Sequence, residues 1–126
     1  MGAIISIALG GALGATLRHA ASLAALRVFG PSFPWGTIGV NILGSFLMGV
    51  LVGVFAHYWQ PSPEMKSFLI VGVLGGFTTF SAFSLDAVML WERGNLTAAA
   101  AYVGGSVILS ILALVAGLAL IRNVAV

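Results

Sequence analysis

A chain of 126 residues that is 60% hydrophobic and 6% charged, with mean hydropathy +1.15, is excluded from the water-soluble class, where about a quarter of positions are charged. A spanning helix takes about 20 apolar residues, so this length holds roughly four spans and leaves no room for a soluble catalytic domain. The lack of cysteine removes disulfides, thiolate metal sites and thiol nucleophiles, and a net charge of +2 spread over five cations and three acids forms no basic patch for nucleic acid.

The charge-free stretches Gly2–Leu17, Val28–Pro63, Ser67–Leu85 and Asn95–Ile121 each hold one span. Together they predict an all-α, single-domain membrane protein with helices over 2–28, 35–59, 65–91 and 96–122. The first span must run past Arg18 and His19, because sixteen residues fall short of a hydrocarbon core about 30 Å thick. That leaves Arg18 as a charge near a membrane end. An uncleaved Gly-rich span accounts for this segment better than a signal peptide, whose cationic start is missing. Gly10 and Gly14 stand at GxxxG spacing, which permits close backbone approach between helices.

The second span is bracketed by Trp35 and Trp59, about 36 Å apart along a helix, one indole for each interface. Within it Thr37, Asn41, Ser45, Gly49 and Gly53 recur every four residues and track along one face. The Asn41 carboxamide either ties helices together or lines a wet path.

The third span contains Gly72-Val73-Leu74-Gly75-Gly76-Phe77-Thr78-Thr79-Phe80-Ser81-Ala82-Phe83-Ser84, poor material for an unbroken helix. A break there frees backbone groups that must face protein, water or an ion. A cation at this depth would have to use carbonyls and hydroxyls, which favours a monovalent ion, because Glu64 and Glu92 lie in loops. The other reading is a Gly-packed helix whose hydroxyls bond back to its own carbonyls. Asp86 is the one acid within a span, either paired with Arg18 or in contact with solvent. In the fourth span Tyr102, Ser106 and Ser110 form a second polar stripe at intervals of four. Asn41, Phe83 and Ser106 fall at similar depths from one face, so the stripes predict a narrow path suited to a small anion or a proton. His19 and His57 have no acidic or second histidine partner and read as interfacial residues.

If the spans alternate, one membrane face receives Lys66 and Arg122 and the other Arg18, Arg27 and Arg93. The positive-inside rule then specifies orientation weakly. This predicts dual insertion and an antiparallel homodimer, analogous to inverted repeats.

Along its whole length the chain resembles the Fluc (CrcB-type) fluoride channels. The likeness rests on Gly10-Gly11-Ala12-Leu13-Gly14-Ala15-Thr16-Leu17-Arg18, on Pro34-Trp35-Gly36-Thr37 with Val40-Asn41 and Gly44-Ser45-Phe46, and above all on Gly75 through Ser84. The resemblance implies a passive fluoride channel of the bacterial cytoplasmic membrane: an antiparallel dual-topology homodimer, not an enzyme, with two pores at the subunit interface. It implies that Asn41, Thr79, Ser81, Ser106 and Ser110 contribute to the pore. Phe80 and Phe83 form a phenylalanine box, Tyr102 supports it, and Arg18 serves an aqueous vestibule. It further implies a structural sodium ion on the dimer axis, held by backbone carbonyls of Gly75 and Thr78. His19 and Ala82 depart from the family pattern, where an aromatic residue and a hydroxylated one are common. Two rivals are a dual-topology proton-coupled multidrug exporter, for which the first span lacks the expected deep carboxylate, and a non-conducting assembly subunit.

Overall fold

The computed structural model describes residues 1–125. Four helical spans are long and apolar enough to cross a membrane. They comprise α1 (Gly2–Phe29), α2 (Trp35–His57), a compound third span, and α6 (Leu96–Ala125). The third span runs through α3 (Pro63–Lys66), a π-helical stretch (Ser67–Leu74), α4 (Gly75–Phe77) and α5 (Phe80–Glu92).

The ends follow from local chemistry. α1 continues through Arg18 and stops where Gly30 takes φ 80°, a conformation that costs L-residues with a Cβ, and Pro31 and Pro34 follow. Arg18 consequently lies inside the span, about 16 Å along the axis from Phe29. Eleven further helical residues follow it, as the expected span over 2–28 required. Ser62 caps α3 by accepting the Met65 N–H at 3.2 Å, with Pro63 at the first helical position. Asn95 Oδ1 accepts the Ala98 N–H at 3.2 Å at the start of α6.

The third span is broken, but not at its paired glycines. Gly75 and Gly76 are helical, and Thr78 and Thr79 are extended, with φ/ψ of −88°/159° and −153°/121°. Threonine suits that backbone, and Thr79 Oγ1 restarts the helix by accepting the Ala82 N–H at 3.1 Å.

The break lets one span serve two neighbours. Its first half packs against α1, whereas α5 packs against α6, and α2 lies between and packs chiefly on α6. Both GxxxG pairs make the close approaches that their spacing predicts. A Cβ on Gly10 or Gly14 would collide with the Phe68 or Val73 carbonyl, and one on Gly49 with the Leu114 carbonyl. The wider π-helical turn holds Phe68, Gly72 and Gly76, four residues apart, against α1. Buried apolar side chains form a cluster of Ile38, Leu90, Ala99 and Tyr102, on which Phe33 and Phe83 rest, and Val40 and Leu74 are buried apart from it. Most large apolar side chains elsewhere are exposed, as a lipid-facing surface requires.

Candidate anion path and helix-break site

The site is organised by one side chain. Asn41, half-buried on α2, donates from Nδ2 to the Thr79 carbonyl at 3.0 Å and accepts the Thr79 N–H on Oδ1 at 2.8 Å. The carboxamide thus pairs with both polar groups of one extended residue, as a neighbouring strand would. This replaces helix bonds that the break removes, and one Nδ2 hydrogen stays uncommitted. Gly44, one turn along α2, has no side chain where the Thr78 methyl packs.

Beside this joint lies a cavity of about 380 Å³ lined by Asn41, Ser45, Met48, Thr78, Thr79, Phe80, Phe83, Ser106 and Ser110, together with Gly44 and the aliphatic Val107, Ile111 and Leu114. The polar stripes of the second and fourth spans therefore face one space. Ser106 and Ser110 have buried Oγ atoms without a hydrogen-bond partner among the described residues. An unpartnered buried hydroxyl costs about 1–3 kcal/mol, so both demand an acceptor or donor from whatever fills the cavity. Phe80 and Phe83 meet with ring centroids 5.5 Å apart, tilted by 47°. Phe83 is packed against the core, whereas the Phe80 ring is 78% exposed.

The remaining expected residues lie outside this lining. Ser81 stands at the rim, its Oγ 3.3 Å from Thr79 Oγ1. Tyr102 is fully buried, with its ring 5.3 Å from Phe83 and 5.5 Å from Phe33. Its hydroxyl donates to Asp86 Oδ2 at 3.1 Å. Of the two roles expected of Asp86, pairing with Arg18 or contact with solvent, the first is not made: its partner is Tyr102. Asp86 also lines a second cavity of about 300 Å³ at the Trp35 end, with Ser22, Thr37 and Arg93. The two cavities share no residue, and the Phe83–Tyr102–Asp86 contact lies between them. Ser45 was legible as part of the Asn41 stripe, but Met48 carried no signal, because a methionine in an apolar helix looks like any lipid-facing residue.

Arg18 donates from Nε to the Gly76 carbonyl at 3.0 Å. That carbonyl belongs to a set created by the break. Thr79 N–H and Ala82 N–H are taken by Asn41 Oδ1 and Thr79 Oγ1, so the Gly75 and Thr78 carbonyls lose the amides an unbroken helix would offer, and no other backbone amide among the described residues replaces them. Among the described residues no cluster of three His, Cys, Asp or Glu exists. The donor set for a cation here is thus hard carbonyl oxygen, which fits a sodium ion. Gly75 is exposed on the chain surface.

Comparison with known proteins bears on nearly the whole chain. The family model described as CrcB-like protein, Camphor Resistance (CrcB), covers residues 5–118. A protein of Rhodospirillum centenum named "Fluoride-specific ion channel FluC" is 56% identical over 120 residues, 95% of each chain. Proteins bearing the same name in Cereibacter sphaeroides and Agrobacterium fabrum are 57% and 54% identical over 120 residues, covering 95% of this chain and 94% and 96% of theirs. Its match to the family model, and its identity along nearly the whole of these relatives, show that this four-span chain belongs to the CrcB family.

Proposed function

We propose that the protein is a fluoride channel of the bacterial cytoplasmic membrane, which releases fluoride down its electrochemical gradient and so protects fluoride-sensitive enzymes within. The observation that carries this reading is the cavity in which Asn41, the Phe80–Phe83 pair and the unpartnered hydroxyls of Ser106 and Ser110 converge. A dehydrating anion needs hydrogen-bond donors at each step, and the electropositive edges of phenyl rings serve the same end. The lining contains no carboxylate. Thr79 and Ser81 extend the donor track beyond the Phe pair, Tyr102 holds the Phe83 ring, and no reaction is catalysed.

The pore is completed by a second, antiparallel copy. Phe80 and Gly75, both exposed on the single chain, supply the face that the partner covers, and two pores follow from the two-fold axis. Charge supports dual insertion more strongly once Arg18 is assigned to the interior, leaving Lys66 and Arg122 near one end and Arg27 and Arg93 near the other. A sodium ion on the axis, bound by Gly75 and Thr78 carbonyls of both chains, would supply the positive charge that holds the two breaks together. Arg18, anchored through Nε, retains four N–H donors for anions in the vestibule.

The test is efflux from liposomes containing the purified protein, read with fluoride and chloride electrodes under matched gradients. Rapid fluoride release with little chloride release is the expected result. Silence toward both ions returns the exporter or assembly-subunit readings, and equal release of both discards the selectivity.

A further inference from the structure

Arg18 is a cation within a membrane-spanning helix, eleven residues before its end, where a charge is costly and marks function. No carboxylate pairs with it among the described residues: Asp86 is engaged by Tyr102, and Arg18 itself is held by a neutral carbonyl. The choice of that carbonyl is informative. Of the carbonyls that the break deprives of a backbone amide, Arg18 takes Gly76, which lies between Gly75 and Thr78 in the chain. The guanidinium also sits where α4 ends, at the negative pole of the first half of the span.

We infer that Arg18 is the positioning residue of the helix-break site, and that its fixed charge makes the Gly75 and Thr78 carbonyls accept a monovalent cation and reject a divalent one. This rests on the sodium reading above. The Nε–H bond to the Gly76 carbonyl pins the backbone between the Gly75 and Thr78 carbonyls. Its charge repels any cation bound there, and a divalent ion meets twice the repulsion of a monovalent one at equal distance. In a dimer the guanidinium acts once from each side. Four neutral carbonyls flanked by two guanidinium groups make a poor calcium site, although carbonyl oxygen alone would suit calcium as well as sodium.

The experiment measures the thermal unfolding temperature of the purified full-length protein in detergent, against sodium chloride and calcium chloride at matched ionic strength. Wild type should be stabilised by sodium and indifferent to calcium. Arg18→Gln keeps a side-chain N–H donor and removes the charge, and should gain a calcium response with apparent affinity at least tenfold tighter than wild type. Arg18→Lys keeps the charge without the guanidinium fork, and should still reject calcium even if sodium binds more weakly. Calcium stabilisation of wild type or of Arg18→Lys overturns the inference, as does an Arg18→Gln protein that discriminates as wild type does. If Arg18→Gln does not fold, Arg18→Met, equally uncharged, takes its place with the same expected gain of a calcium response. A wild type insensitive to sodium removes the sodium reading itself, and this assignment with it, whereas a normal sodium response with unaltered discrimination in Arg18→Gln removes the Arg18 assignment alone.

Discussion

The two halves of the third span are built from opposite materials. From Pro63 to Phe77 the span meets α1 through backbone: Gly72 against Gly10, Gly76 against Gly11, the Val73 carbonyl against Gly14. From Phe80 to Glu92 it meets α6 through side chains, with Phe83 on Tyr102 and Tyr102 bonded to Asp86. Along that contact with α1 the backbones approach too closely to leave room for a ligand. The second half and the joint before it enclose the cavity. Contact made by backbone is rigid and closes space, whereas contact made by rings and hydroxyls holds neighbouring helices far enough apart to leave a path between them.

This contrast predicts a graded set of responses. The largest effect should come from Gly14→Leu, whose side chain would run into the Val73 carbonyl and the Phe77 amide nitrogen. Neither backbone can retreat without moving the span, so a loss of about 3 kcal/mol is expected, visible as loss of monodisperse protein in detergent. Asn41→Ala comes next. It removes both bonds to Thr79 and should cost about 2–3 kcal/mol while cutting fluoride flux sharply; near-normal flux would return Asn41 to a tie between helices. Phe80→Ile and Phe83→Ile should each reduce flux at least about tenfold, and unchanged flux in both would remove the phenylalanine pair from the path. Their stability costs should differ, because Phe83 also loses its Tyr102 contact, worth about 1 kcal/mol, and Phe80 buries little within the chain.

Ser110→Ala should separate conduction from folding. Its hydroxyl has no partner among the described residues, so removing it should leave stability unchanged or raise it by up to about 1 kcal/mol while slowing fluoride efflux. The smallest response belongs to Gly11→Ala, where an added Cβ meets nothing within 4 Å; helix propensity then predicts a gain of at most about 1 kcal/mol in unfolding free energy. A large loss there would show that α1 is packed on that side by a second chain.

Much of this arrangement was legible in advance. The four spans and the passage of α1 through Arg18 follow from hydropathy and from the thickness of the bilayer, and the Gly, Thr and Ser content of residues 72–84 pointed to either a break or a Gly-packed helix. The meeting of Asn41, Phe83 and Ser106 followed from counting rise per residue along antiparallel helices, because straight helices convert sequence distance into depth. The position of the break did not follow. Two glycines look like the weaker link by propensity, yet both stay helical against α1, and the chain opens at threonines for which Asn41 and Thr79 Oγ1 supply the missing bonds. Propensity measures a residue's own cost, and a break is decided by which backbone groups can be satisfied elsewhere.

By itself the amino-acid sequence determined the membrane location, the number of spans, the two polar stripes and the near-balance of end charges, since each depends only on composition and spacing along one helix. Only the tertiary structure decided who pairs with whom: that Asp86 takes Tyr102, that Arg18 takes the Gly76 carbonyl, and that Asn41 binds the Thr79 backbone. Hydrogen bonds between spans depend on helix rotation and on distances of a few ångströms, and in a chain this apolar many helix rotations satisfy the same hydropathy pattern equally well.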